Sequence, residues 1–273
     1  MPERPDGSRS SQGVRQVLVA VAHGSADPRA AATVTDLMAI VAQRAAAREP
    51  SLREARPAYL GHAAPSLPQV LRAIGHGQVT VLPLLLTPAY HSKTDIPRAL
   101  ARLSGELPRL RVSYGAALGP HPLLLRALER RLAEADPLGP AGRAGCAYRG
   151  QTAVVLAAAG STDPQAVATI ARLAAHWQAS AGWFAVRPAY ASAVTPDAPS
   201  PATAVTRLLR AGARRVVVAT YLLAPGLFAD RVAESALAAG AAAVAPPLGA
   251  AAEVAEVLLD RYQQVRPRRR TAA

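Results

Sequence analysis

The chain has 273 residues, 51% of them hydrophobic, enough to fill one large or two medium domain cores. Its formal net charge is +13, and Lys93 is the one lysine among 31 basic residues, an excess that suits an anionic partner or a multiply carboxylated small molecule. The single cysteine, Cys146, excludes an internal disulfide, a cysteine-built zinc site and a four-cysteine iron–sulfur cluster within one chain.

The opening segment 1–14 carries arginines but no apolar run behind them, so it reads as a disordered lead-in and not a signal peptide. No apolar stretch exceeds strand length, which predicts no transmembrane segment and places the protein in the cytoplasm. Strand-like runs then alternate with helical patterns, starting with Gln16–Ala22 and the 3.6-periodic Pro28–Arg48. Strands at Arg53–Tyr59, Val79–Leu85 and Arg109–Gly115 alternate with helices at Ser66–Ile74, Asp95–Leu103 and His121–Ala135. This is an α/β pattern, predicting a mainly parallel four-stranded sheet flanked by helices in a lobe spanning 15–135.

A Gly/Pro/Arg-rich linker covers 136–150, and the same order resumes over 151–265. Strands are expected at Ala153–Ala158, Trp183–Ala189 and Arg215–Leu222, with a weak one near Ala241–Ala245. Helices are expected at Pro164–Ser180, Ala202–Ala211, Ala229–Ala239 and Ala250–Gln264, and 266–273 is a basic tail. LVAVAHGSADPRAAATV matches VVLAAAGSTDPQAVATI, and ARPAYLGHAAPS matches VRPAYASAVTPDAPS, so the second lobe is a duplicate of the first.

Both first strands end in a turn closed by Asp-Pro (Asp27-Pro28, Asp163-Pro164), a helix start in which Asp caps free N–H groups and Pro suits the first helical position. Capping also explains Asp95 and is the leading role for Ser25. It does not require a histidine at 23, where the duplicate has Ala159, or at 91, where the duplicate has Phe228. With strand order 2-1-3-4, the tips of strands 1 and 3 flank the crevice in which such sheets bind ligands, so His23 and His91 face one cleft. A pair of neutral imidazoles suits Co²⁺, Fe²⁺, Ni²⁺ or Zn²⁺ with positions left open. His76, His121 and His176 read as structural, and Tyr59, Tyr90 and Tyr190 follow strands where they can lie against a flat ligand or pack between loops.

The His23-Gly24-Ser25-Ala26-Asp27-Pro28-Arg29 turn, the Pro65-Ser66 pair and the His91…Asp95-Ile96-Pro97 segment together resemble the sirohydrochlorin chelatases, the class II chelatases of cobalamin and sirohaem biosynthesis. The resemblance implies two tandem chelatase-like lobes around a cleft, with His23 and His91 as catalytic metal ligands. It also implies insertion of Co²⁺ or Fe²⁺ into sirohydrochlorin, with Ni²⁺ compatible, and no nucleotide, iron–sulfur cluster or obligatory protein partner. Many members carry a glutamate shortly before the Pro-Ser pair. Here Gly61 stands at that place, followed by His62, which is the candidate replacement. Arg29 and Lys93 are candidates for pairing with substrate carboxylates.

Other readings are weaker. A histidine-phosphatase reading wants an arginine before the histidine, where Ala22 stands, and no G-x-G-x-x-G turn or P-loop is present for a nucleotide. No aromatic-interleaved basic motif supports nucleic-acid binding, and a GC-rich genome alone also produces an arginine bias. A non-catalytic tetrapyrrole or metal delivery protein would use the same histidines.

Overall fold

The computed structural model describes residues 16–88, 94–137, 139 and 145–265. The first repeat runs β1 (Gln16–Ala22), α1 (Pro28–Arg48), β2 (Leu52–Tyr59), α2 (Leu67–Ile74), β3 (Gly77–Pro83), α3 (Ile96–Ser104), β4 (Leu110–Tyr114) and α4 (Pro122–Ala135). A 3-10 turn at Gly145–Gln151 leads into the second. That repeat runs β5 (Thr152–Ala158), α5 (Pro164–Ala181), β6 (Ala185–Tyr190), α6 (Pro201–Arg210), β7 (Arg215–Tyr221), α7 (Leu227–Ala238), β8 (Ala243–Val244) and α8 (Ala252–Val265). The two sheets are all parallel, ordered β2-β1-β3-β4 and β6-β5-β7-β8.

Each central strand is buried on both faces, which is why β1 and β5 read as unbroken apolar runs. In β1, Val17, Val19 and Val21 meet α2 and α3, while Leu18, Ala20 and Ala22 meet α1. The α1 face repeats as Val34, Leu37, Met38, Val41 and Ala45, the spacing of one buried helical stripe. The inner faces of both sheets join through α1, α4, α5 and α8 in one continuous core, with α2–α3 and α6–α7 covering the outer faces. Strand β8 is only two residues long, an edge strand of small residues.

Both Asp-Pro starts are capped as expected, and other helix starts carry caps outside that expectation. Asp27 accepts from Arg29 N at 2.9 Å, Asp163 accepts from Gln165 N at 2.9 Å, and Ser66 and Gln69 form a capping box. Asp95 departs from expectation. It already has helical angles, φ −72° and ψ −47°, and makes no side-chain cap. A cap needs an extended residue there, and the chain has begun to coil by Thr94.

The repeats do not pack as two self-contained halves. Helix α4 leaves its own sheet and lies against β7 and β8, while α8 returns to α1 and β3. The exchange is fastened by Arg130 to Glu253 at 2.9 Å, Arg131 to the Leu248 carbonyl at 3.0 Å, and Arg44 and Arg48 to Glu256 and Asp260. Arg261 donates to the Ala117 carbonyl at 2.9 Å, and the buried Tyr262 hydroxyl bonds Gln16 Oε1 at 2.6 Å. Among the described residues no helix is long and apolar enough to cross a membrane.

Candidate functional site

The C-terminal ends of the central strands of both sheets open into one inter-lobe cavity of about 810 Å³. That is within the usual range for a small-molecule site, at its large end. Its first-lobe wall comes from the turn after β1, the start of α1 and the exit of β3; its second-lobe wall from the matching turn after β5, α5 and the segment Tyr221–Ala229. Tyr59 and Tyr190, both buried, close its sides as strand-end residues. The Tyr221 hydroxyl donates to the Leu86 carbonyl at 3.0 Å, tying the exit of β3 to the second lobe.

His23 sits at the end of β1 where the chain turns sharply. Gly24 has φ +94°, and a β-carbon there would fall 1.7 Å from the Gly61 carbonyl oxygen. The turn after β2 is therefore pressed against the turn after β1, sealed by Gly61 N donating to the His23 carbonyl at 3.0 Å. This contact brings His62, itself at φ 58°, beside His23. The two exposed rings have centroids 6.2 Å apart at 51°. An imidazole bound to a first-row metal holds its ring centre about 3 Å from the ion, given a metal–nitrogen bond of about 2 Å. The observed spacing is at the outer limit of what one ion can bridge.

The sequence brings forward six site residues, and their placements differ. His23 and Ser25 line the cavity and His62 adjoins His23. Ser25 Oγ accepts from Asp27 N at 3.1 Å, a local turn bond. Arg29 is held by Asp27 at 2.6 Å and, across the cleft mouth, by Asp230 of α7 at 2.6 Å. Its hydrogen bond holds the Asp27 carboxyl below the usual carboxylate range. His91 and Lys93 lie outside the described residues, as does Tyr90. Among the described residues no three His, Cys, Asp or Glu side chains gather closely enough to hold a metal.

Sequence reasoning missed Asp230, whose role depends on two lobes meeting, and the apolar wall Leu227–Phe228. The repeat alignment that pairs Phe228 with His91 was the available signal for the latter. In the second lobe Gly160 repeats the tight turn with φ +93°, and Ala193 at φ 52° repeats His62, so the geometry is duplicated while the imidazoles are not.

Comparison with known proteins follows the same outline. The chain is 28% identical to a sirohydrochlorin cobaltochelatase of Priestia megaterium over 163 residues, 59% of this chain and 50% of that protein. It is 33% identical to a sirohydrochlorin ferrochelatase of Bacillus subtilis (strain 168) over 90 residues, 33% of this chain and 31% of that protein. The matched region thus spans half or less of either relative's length. Among solved structures, SirB from Bacillus subtilis with Fe³⁺ superposes with a TM-score of 0.70 at 22% identity, covering 92% of this chain and 95% of that one. SirB from Bacillus subtilis subspecies spizizenii in complex with cobalt gives 0.69 at 21% identity, covering 92% and 94%. At these identities the likeness is one of fold. The CbiX family matches residues 17–135 and 153–265, that is, both repeats, and the chain belongs to the CbiX family.

Proposed function

We propose that the protein is a sirohydrochlorin chelatase, inserting Co²⁺ or Fe²⁺ into the macrocycle in the cytoplasm without a nucleotide, for cobalamin or sirohaem biosynthesis. The observation that carries this reading is the His23–His62 pair at the lip of a two-lobed, largely apolar cavity. His23 and His91 are the catalytic metal ligands of this reading, and His62 takes the place of the family's glutamate. A neutral third imidazole in place of a carboxylate shifts the donor set toward the softer end, which suits Co²⁺ and Ni²⁺ as well as Fe²⁺.

The macrocycle enters the cleft with its flat face against the apolar walls and its carboxylates toward the rim. The histidines receive the metal with coordination positions left open, and the pyrrole nitrogens take up those positions. Two N–H protons leave, either to imidazole nitrogens as the metal is handed on or to water. Ser25, Arg29 and Lys93 are the polar rim groups for substrate carboxylates; for Arg29 this means exchanging Asp230 for a substrate carboxylate.

The test is anaerobic absorbance of the protein with sirohydrochlorin and Co²⁺ or Fe²⁺ against the non-enzymatic reaction. Accelerated insertion without ATP is expected, and His23→Ala or His91→Ala should lower it by about a hundredfold or more. His62→Ala should weaken apparent metal affinity on the order of tenfold. Tight macrocycle binding with no acceleration would instead favour a delivery protein using the same cleft.

A further inference from the structure

The second lobe has kept the strand-end turns of the first and lost the imidazoles, yet among the described residues it supplies more than half of the cavity wall. Its most unusual contribution is the first turn of α7. Helix α7 buries Ala229, Val232 and Ala236 against its sheet, and that stripe accounts for its place in the fold. Leu227 and Phe228 fall outside the stripe and are 60% and 41% exposed. Large apolar side chains are exposed elsewhere, Leu237 of the same helix at 52% among them, but among the described residues only Leu227 and Phe228 are both exposed and part of the cavity wall.

The turn is also held in place from the other lobe. Asp230 reaches Arg29 at 2.6 Å, and Gly226, at φ 148°, lies close enough to Asp27 that an added β-carbon would be 3.8 Å from its carboxylate. Both partners of the ion pair are more than half exposed, so it is a weak tether that opens readily. Two adjacent exposed apolar side chains on a cavity wall form a surface that an apolar ligand face can cover.

Resting on the chelatase reading, we infer that Leu227 and Phe228 form a shelf that carries one face of the macrocycle. The Arg29–Asp230 pair holds the shelf in place before substrate enters and opens when a substrate carboxylate takes Arg29. Phe228 occupies the repeat position at which the first lobe places His91, so duplication has turned one lobe to metal and the other to the ring. The ring then presents its opposite face to His23 and His62, and metal enters from that side alone. Phe228 is a substrate-contacting residue: it stacks on the ring and handles neither metal nor proton.

The experiment titrates metal-free sirohydrochlorin and, separately, Co²⁺ into the full chain and its Phe228→Ala, Phe228→Leu and Leu237→Ala variants. The shelf predicts about tenfold weaker macrocycle binding for Phe228→Ala, substantial recovery in Phe228→Leu, no change in Leu237→Ala, and unchanged Co²⁺ binding throughout. Macrocycle affinity within twofold of the parent in Phe228→Ala overturns it, as does an equal loss of macrocycle and metal binding. A parent protein that binds no sirohydrochlorin defeats the chelatase reading itself, a result distinct from either.

Discussion

At Gly24 the missing β-carbon is what lets the turn after β1 and the turn after β2 touch, since any side chain would strike the Gly61 carbonyl. Gly24→Ala must either strain a positive-φ residue or push the two turns apart, and should cost about 2 kcal/mol or more in urea unfolding. It should also weaken metal binding, because the same contact sets the His23–His62 spacing. His121 offers a pH-dependent case. Its Nδ1 accepts from Leu123 N at 3.2 Å as the cap of α4, which requires the neutral ring, and burial, helped by the Arg261 charge, pushes its pKa below the ordinary value of 6.5. The unfolded chain therefore binds the proton first. Stability falls as pH drops through about 6.5, and the loss is complete once pH is below the lowered folded value. Thermal melts at pH 7.5 and pH 5 should show a smaller acid loss in His121→Asn than in the parent. At this scale the sequence singled out His23 and His91 because a duplicate lacking them lies in the same chain, and His62 because it follows the place where the resemblance leads one to expect a glutamate. It was silent on Arg29's partner: Asp230 is 201 residues away, and no local pattern marks a residue whose role comes from another lobe.

Helices and strands were legible where period and caps agreed. The runs at β1 and β5 and the Asp-Pro starts of α1 and α5 all came from neighbours in sequence. Asp95 looked the same in sequence and is not a cap, because the backbone coils one residue too early. What no element's own pattern revealed was which sheet it would cover. Helix α4 carries Arg130, whose Glu253 partner belongs to α8 and is held below the usual carboxylate range by that hydrogen bond. The pair's contribution is present at neutral pH and is lost as pH falls through Glu253's lowered value. Glu253→Gln should cost under about 1 kcal/mol at pH 7, since both groups are part-exposed, and should flatten the acid limb of the unfolding curve.

Across the whole molecule, the exchange of α4 and α8 makes the two repeats one folding unit with one continuous core. A chain ending at residue 250 takes no residue from the first repeat, yet it removes the helix that packs against α1 and leaves Gln16 without its buried Tyr262 partner. Hydrogen exchange on such a truncation should show lost protection in β1 and α1 of the first lobe, with β5 and β6 less affected. Equal loss in both lobes, or none in the first, would contradict the packing described. The same interlock limits how the cleft can open: a rigid swing of one lobe would pull both exchanged helices off their sheets. Access must come instead from the loops at the mouth, where the exposed Arg29–Asp230 pair is one inter-lobe tie.

The order of synthesis runs against the order of assembly. Helix α1 leaves the ribosome early, but the helix that covers it is α8, which emerges only after the whole second repeat has been made. At about 5–20 residues per second the nascent first lobe waits on the order of ten seconds with an apolar flank open to water. The lobe bearing His23 and His62 is thus begun first and finished last.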